Sequence, residues 1–343
     1  MHLNLQFTIY NLQLIAGPCS AESENQIVET ASQLSKMGVE VFRAGIWKPR
    51  THPNSFEGVG EKGLKWLQTV KRDFGMKTAV EVANSAHVEA ALNAGIDVLW
   101  LGARTTTNPF VVQEIADALK GANIPILVKN PVIPDLELWL GAIERLQNAD
   151  IQNITAVHRG FGTGGSHYRN NPQWHIPIEL KRRLPNIPLI CDPSHIAGKK
   201  ELVGIVAQQA ISLNYNGLMV EVHCNPAQAA SDAEQQITPA ELKILLKNLV
   251  FSEENSQNEI LSIFRQKIDD LDSSLIEILS QRMNIAQKIG EYKRENAISV
   301  LQSSRYDEVL QKCINQAVAK NINPDFLKKI MEIIHEESIK QQL

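Results

Sequence analysis

Eight short β-rich runs recur along the first three-quarters of this chain, and their alternation with helical patterns constrains its fold more than any other feature. The runs are LQLIAG, VEVFRAG, MKTAVEV, DVLWLGA, IPILVKN, NITAVHR, IPLICDP and GLMVEVH. Helical patterns lie between them, for example at 22–37, 109–120, 136–146 and 199–213, and Gly or Pro marks the junctions. Strand alternating with helix implies a parallel sheet with right-handed crossovers. Eight such units in roughly 240 residues match the size of a (β/α)8 TIM barrel. An open doubly wound sheet is the other α/β possibility, but no GxGxxG follows the first run. The opening MHLNLQFTIYN alternates, which suggests an extra strand or hairpin closing the barrel bottom.

The pattern then changes. SEENSQNE, at 252–259, is polar and aperiodic and reads as a linker. After it come Phe264, Ile268, Leu271, Leu275, Leu279, Ala286 and Ile289, spaced by three or four within one long helix over 260–295. Two more helical patterns follow at 305–320 and 324–342. The expected organisation is a barrel over 1–251, a linker over 252–259 and a three-helix all-α domain over 260–343. Three helices in about 85 residues make a poor core alone, so the helical domain is expected to form a homodimer.

A net charge of −4 gives no reason to expect nucleic acid or an anionic membrane as partner. No run of 18 apolar residues and no leader pattern occur, so neither a membrane span nor secretion is expected. The four cysteines, Cys19, Cys191, Cys224 and Cys313, lack CxxC spacing, which fits free thiols in the cytoplasm.

Ionisable residues fall at the end of every strand. Cys19 follows the first, Arg43 ends the second with Lys48, Arg50 and Thr51 in its loop, and Glu81 ends the third. Arg104 follows the fourth, Lys129 ends the fifth, Arg159 ends the sixth, and Asp192 and His195 follow the seventh. Glu221 and His223 end the eighth, with Asp232 beyond. Barrel enzymes build their active sites at this C-terminal face. Arg43, Lys48, Arg50, Arg104, Lys129 and Arg159 would repel one another unless the mouth held several anionic groups, with phosphates plus a carboxylate fitting best. Cys19, His195, Glu221 and Asp232 form a second set. Thiolate, imidazole and carboxylate together suit a divalent transition metal better than magnesium or calcium. In FRAGIWKPRTHP, two prolines stiffen the loop that carries the cations of the second strand.

These strings resemble 3-deoxy-D-arabino-heptulosonate 7-phosphate (DAHP) synthase of the type I-beta subgroup. The matching motifs over 12–250 are AGPCS, FRAGIWKPRT, GART, VKNP, HRGFGT, CDPSH and VEVHCNP followed by SDAEQQ. The resemblance implies condensation of phosphoenolpyruvate with erythrose 4-phosphate. It implies one divalent metal ion per barrel (manganese, iron, cobalt or zinc) on Cys19, His195, Glu221 and Asp232. Phosphoenolpyruvate contacts fall on Arg43, Lys48, Arg104, Lys129 and Arg159. The sugar phosphate falls on the KPRT loop, Lys48, Pro49, Arg50 and Thr51. Lys48 and Lys129 count as catalytic, and Asp192, Glu81 or a metal-bound water would handle protons. A related family, 3-deoxy-octulosonate 8-phosphate synthase, carries a KANRS-type loop in place of KPRT. A sugar-phosphate aldolase using a Schiff base at Lys129 is a further alternative.

The tail, 260–342, resembles the AroQ-type chorismate mutases through FRQKIDDLD, QRMNIAQKIGEYK, SSRYDEVL and EESIKQQ. Its implied substrate contacts are Arg265, Arg282, Lys293, Arg305, Ser338 and Gln342, with Lys293 and Gln342 stabilising charge on the breaking ether oxygen. Chorismate and prephenate would be its ligands. Tyr306 and Gln302 stand where some members carry acidic residues. Arg282 and Lys293, 293 − 282 = 11 positions apart, share one face of the long helix at about 100° per residue. Arg265 lies 17 positions before Arg282 and would reach only the pocket of a partner chain. The tail is expected to be either a mutase that also mediates feedback inhibition of the barrel or a non-catalytic sensor of chorismate or prephenate.

Overall fold

A computed structural model describes residues 12–49, 55–164, 167–251, 259–301 and 303–343. The hairpin expected at 1–11, Arg50, Thr51, linker residues 252–258 and Gln302 lie outside the described residues. The chain divides into two compact units, Met1–Ser252 and Glu253–Leu343.

In the first unit eight parallel strands close into a barrel in sequence order: β1 (Gln13–Gly17), β2 (Val41–Arg43), β3 (Lys77–Val82), β4 (Val98–Leu101), β5 (Ile126–Lys129), β6 (Ile154–His158), β7 (Leu189–Cys191) and β8 (Gly217–Glu221). Closure is made by β1 pairing with β8, Ile15 opposite Met219. The connecting helices are α1 (Glu24–Ser35), α2 (Lys62–Phe74), α3 (Ser85–Asn93), α4 (Ala103–Thr106), α5 (Pro109–Ala118), α6 (Leu136–Asn148), α7 (His175–Arg183), α8 (Pro193–Ala197), α9 (Lys200–Ser212) and α10 (Pro239–Asn248).

The barrel interior explains why the reactive residues end up together. Ile15, Val41, Ala79, Val98, Trp100, Leu127, Val157, Ile190 and Met219 form a separate buried cluster with members from all eight strands. Side chains on a strand repeat faces every second residue. Two positions after Val41, Ala79, Leu127, Val157, Ile190 and Met219 stand Arg43, Glu81, Lys129, Arg159, Asp192 and Glu221. The apolar layer is therefore the floor, and the next layer up is charged. The larger core packs the outer strand faces against the helices, with Phe42, Leu99, Val128 and Leu218 buried there.

The second unit consists of α11 (Glu259–Glu295), α12 (Ser303–Ala319) and α13 (Pro324–Gln342). Glu259, expected to end the linker, opens α11 instead. Helix α13 packs on both α11 and α12. Burial is sparse: among the described residues of this unit only Ala286, Gly290, Ala317 and Ser338 are buried. Phe264, Ile268, Leu271, Leu275 and Ile289 of α11 are exposed. The expected single stripe therefore splits. Ala286 and the half-buried Leu279 lie on the packed side, while Leu275 and Ile289 stay open to solvent.

Candidate active site

The C-terminal mouth of the barrel holds a cavity of about 280 Å³ whose lining includes Arg43, Lys48, Pro49, Glu81, Arg104 and Lys129, together with Arg159, Arg169, Asn170, His195 and Asp232. A space of that size suits small polar metabolites. Local sequence aims each group. In CDPSH, Asp192 caps α8 by accepting from the His195 N–H at 3.0 Å, and Pro193 takes the first helical position. That turn places His195 over the barrel directly after β7. Gly102 leaves room for Glu81: a Cβ there would lie 2.0 Å from Glu81 Oε1.

One side of the mouth gathers the proposed metal ligands. Donor atoms of Cys19, Glu221 and Asp232 lie within 4.8 Å of one another. His195 Nε2 faces the same point, 3.7 Å from Glu221 Oε1 and 4.0 Å from Asp232 Oδ2. Its Nδ1 sits 2.8 Å from Asp192 Oδ2, in contact but out of line for a hydrogen bond. A carboxylate so close behind the ring is positioned to take that N–H bond after a small rotation, as partners of metal-binding imidazoles do. Burial lowers the His195 pKa against the pull of Asp192, so the ring is a neutral ligand. Burial, then Glu221, pushes the Cys19 thiol up to about 12, so it is protonated until a cation displaces the proton. The thiol donates to Asp232 Oδ2 at 3.2 Å. Burial works against the Asp232 charge, but His195 and Arg169 outweigh it and hold the carboxyl below its ordinary range. A soft thiol, an imidazole and two carboxylates converging in a buried place fit a divalent transition ion.

The cations begin beside these ligands and continue around the mouth. Arg43 donates to Glu221 Oε1 at 3.1 Å and to the Cys19 carbonyl at 3.0 Å, and its guanidinium lies 4.9 Å from the centre of the Trp100 ring. Lys48 Nζ reaches Cys19 Sγ at 3.2 Å and the Cys19 carbonyl at 3.1 Å. Burial opposes its charge, but the Cys19 thiol and Glu81 raise its pKa overall. Lys129 Nζ pairs with Asp192 Oδ2 at 2.8 Å. The expected mutual repulsion is thus partly answered inside the protein. Arg159 differs, because among the described residues it donates to neutral oxygens, Asn170 Oδ1 at 2.8 Å and the Gly160 carbonyl at 3.4 Å. Burial lowers its pKa to about 10, with the neighbouring charges of Arg169 and Arg104 adding to the effect. An anion at Arg159 would relieve that strain.

Two expected residues sit differently from the rest. Asp192 is fully buried beneath Lys129 and His195, whereas Glu81 lines the cavity. His223 turns away from the mouth: its Nδ1 accepts from Asn225 N at 2.9 Å, and Nε2 lies 3.8 Å from Glu22. Four contributors were not singled out from sequence: Trp100, Arg169, Asn170 and Gln235. Trp100 had a signal, since it lies two positions after inward-facing Val98.

In the helical unit, Arg282 donates to Ser338 Oγ, and Lys293 donates to Gln342 Oε1 at 3.1 Å and to the Val300 carbonyl at 2.8 Å. Gly290 permits this: a Cβ there would meet Gln342 Cα at 2.6 Å. Both cations thus face α13 but have neutral partners. Arg305 pairs with Glu308 on the surface at 2.7 Å. Arg265 is exposed on α11, 17 residues from Arg282, or about 26 Å at helical rise. It does not join that cluster within one chain. Tyr306 packs against His335, ring centres 4.1 Å apart and the planes tilted by 35°.

Comparison with known proteins agrees with both halves. A family model described as the DAHP synthetase I family matches residues 10–257, and one described as chorismate mutase type II matches 264–343. A phospho-2-dehydro-3-deoxyheptonate aldolase of Thermotoga maritima is 33% identical over 224 residues, covering 65% of this chain; the chain spans 64% of that relative's length. A 2-dehydro-3-deoxyphosphooctonate aldolase of Polaromonas naphthalenivorans is 29% identical, over 69% of this chain and 88% of that protein. A crystal structure of the Thermotoga maritima DAHP synthase superposes with a TM-score of 0.63 at 32% identity, covering 69% of this chain and 67% of the other. No helix among the described residues is long and apolar enough to cross a membrane.

Proposed function

The chain belongs to the DAHP synthetase I family and ends in a chorismate mutase type II domain, and from this premise we propose a bifunctional enzyme. The barrel condenses phosphoenolpyruvate with erythrose 4-phosphate and water to give DAHP and phosphate. The helical unit rearranges chorismate to prephenate. The observation that carries the barrel reading is the juxtaposition of a thiol–imidazole–carboxylate cluster with a cation cluster across one small cavity.

Arg43, Arg104, Lys129 and Arg159 hold the carboxylate and phosphate of phosphoenolpyruvate, with Arg159 the cation most in need of an anion. Lys48 and Pro49, with Arg50 and Thr51, hold the phosphate of the aldose. Pro49 at the cavity wall favours the KPRT-type substrate over that of the octulosonate relatives. A divalent ion held by Cys19, His195, Glu221 and Asp232 would polarise the aldehyde carbonyl. C3 of the enol phosphate attacks that carbon, and Lys48 Nζ would give a proton to the aldehyde oxygen. Water adds at C2, the C2–O bond breaks, and phosphate leaves. Glu81 is the carboxylate at the cavity wall for the proton of that water, while Asp192 orients Lys129 and His195. Holding both reactants in one cavity supplies much of the rate. The Lys129–Asp192 ion pair ties up the amine that a Schiff base would need.

In the tail Arg282 and Arg305, with Arg265 of a second copy, would hold the two carboxylates of chorismate. Lys293 and Gln342 would stabilise the ether oxygen as its bond breaks. The exposed apolar residues of α11 support a homodimer in which the two long helices cover one another. Chorismate or prephenate bound there would also inhibit the barrel by favouring one arrangement of the chain.

Chelation of the full chain tests the division of labour. DAHP formation should vanish and return with added manganese or cobalt, while chorismate rearrangement persists. Persistence of both activities in metal-free protein would overturn the ligand assignment.

A further inference from the structure

The segment SDAEQQ after β8 supplies one proposed ligand, Asp232, and leaves two consecutive glutamines with no part in the reaction described above. We propose that Gln235 and Gln236 are positioning residues that hold Cys19, Glu221 and Asp232 in place before an ion binds. The inference rests on the metal reading of the barrel site.

Both glutamines are fully buried, and each uses both ends of its amide. Gln235 Nε2 donates to Glu221 Oε2 at 2.6 Å. Its Oε1 accepts from Arg169 at 2.6 Å, and the same guanidinium nitrogen donates to Asp232 Oδ1 at 2.9 Å. One side chain therefore occupies the outer oxygen of Glu221 and links it, through Arg169, to Asp232. The other oxygen of Glu221 stays turned to Arg43 and His195. Gln236 points elsewhere. Its Oε1 accepts from the Cys19 N–H at 3.0 Å, and its Nε2 donates to the Ser231 carbonyl at 2.9 Å. Ser231 is in turn bonded to Ser20 by their hydroxyls at 2.6 Å. The residues flanking two ligands, Cys19 and Asp232, are thereby locked together although 213 positions apart in sequence.

The chemistry calls for such a clamp. Three acidic donors crowd one buried point, and as anions they would repel until a cation arrives. Asp232 moreover adopts φ 49°, a left-handed conformation that is uncommon for a non-glycine residue although aspartate is among those that tolerate it. A side-chain amide offers a donor and an acceptor at fixed separation in these places; an ionised carboxylate lacks the donor and an aliphatic chain lacks both.

The test is cobalt(II) titration of the chelator-stripped full chain, reading the near-ultraviolet thiolate-to-cobalt band and the affinity against a chromophoric chelator. The wild-type chain should show the band at one ion per barrel. Gln235→Met and Gln236→Met should each weaken cobalt binding about 10–100-fold, as loss of groups supporting metal ligands does. Thermal unfolding of the metal-free variants reports folding. Should a methionine variant fail to fold, Gln235→Asn and Gln236→Asn keep the amide but withdraw it by one methylene, and the same loss is expected. Unchanged cobalt affinity and band in folded variants, even with lowered thermal stability, would overturn the positioning role. Absence of the band in the wild-type chain would instead overturn the metal reading beneath it.

Discussion

Arg43 at the end of β2 and Arg159 after β6 line one cavity from opposite sides of the barrel, yet their environments predict opposite results for the same substitution. Arg43 neutralises Glu221, and both side chains are buried. Arg43→Met would leave an unpaired buried carboxylate, and breaking such a pair costs about 3–5 kcal/mol. Among the described residues Arg159 donates to neutral partners, and it carries its charge against burial. Arg159→Met should leave stability unchanged or slightly raised while increasing the KM for phosphoenolpyruvate. Denaturant unfolding of the two metal-free variants, beside steady-state kinetics, checks the contrast; equal destabilisation would refute it. Cys19 yields a prediction about protons. With its pKa pushed up to about 12, the thiol is neutral across the physiological range. In the metal-free chain its folded pKa exceeds the unfolded one. Its contribution to stability is therefore complete below about pH 8.5 and is lost as pH rises toward the folded value. Metal binding at pH 7.5 should release about one proton per ion. Titration calorimetry in buffers of different ionisation enthalpy measures this, and Cys19→Ala should abolish the release. The four candidate ligands, Cys19, His195, Glu221 and Asp232, could be picked out at this scale because reactive residues at and just beyond strand ends announce themselves. Gln235 and Gln236 were not, since an uncharged amide shows its role only through what it touches.

At the scale of elements, α8 and α11 illustrate two degrees of legibility. Strand, capping Asp, Pro at the first helical position and a short turn are all written in CDPSH, so the placement of His195 follows from local rules. For α11 the three-to-four spacing foretold a helix but not how its faces divide. Its packed side follows Leu279, Ala286 and Gly290, and closeness at Gly290 brings Lys293 to Gln342. Gly290→Ala would place a methyl group against α13 backbone, where overpacking costs roughly 1–3 kcal/mol. Chorismate rearrangement should fall at least tenfold, with DAHP formation unchanged. Retention of full mutase activity would show that this crossing does not shape the pocket. The open side, with Phe264, Ile268, Leu271 and Leu275 exposed, belongs to a helix that a lone chain leaves half covered.

For the whole molecule the distance along α11 is decisive. Arg265 lies about 26 Å of helix from Arg282, so a pocket that uses both must draw them from two chains. Arg265→Ala and Arg282→Ala should each destroy mutase activity, and mixing the two variants should restore part of it through mixed dimers. No recovery, with subunit exchange confirmed by mass spectrometry, would place Arg265 outside the pocket. Sequence by itself determined the eight-fold repeat, the helical tail and the ionisable residues at strand ends, because hydrophobic period and turn chemistry are local. It also determined which residue types face inward together, since alternate strand positions share a face. Tertiary structure alone decided which charges cancel: Arg43 with Glu221 and Lys129 with Asp192, while Arg159 donates to the neutral oxygens of Asn170 and Gly160. Those pairings depend on barrel closure, which joins strands far apart in sequence at distances that no spacing along the chain encodes.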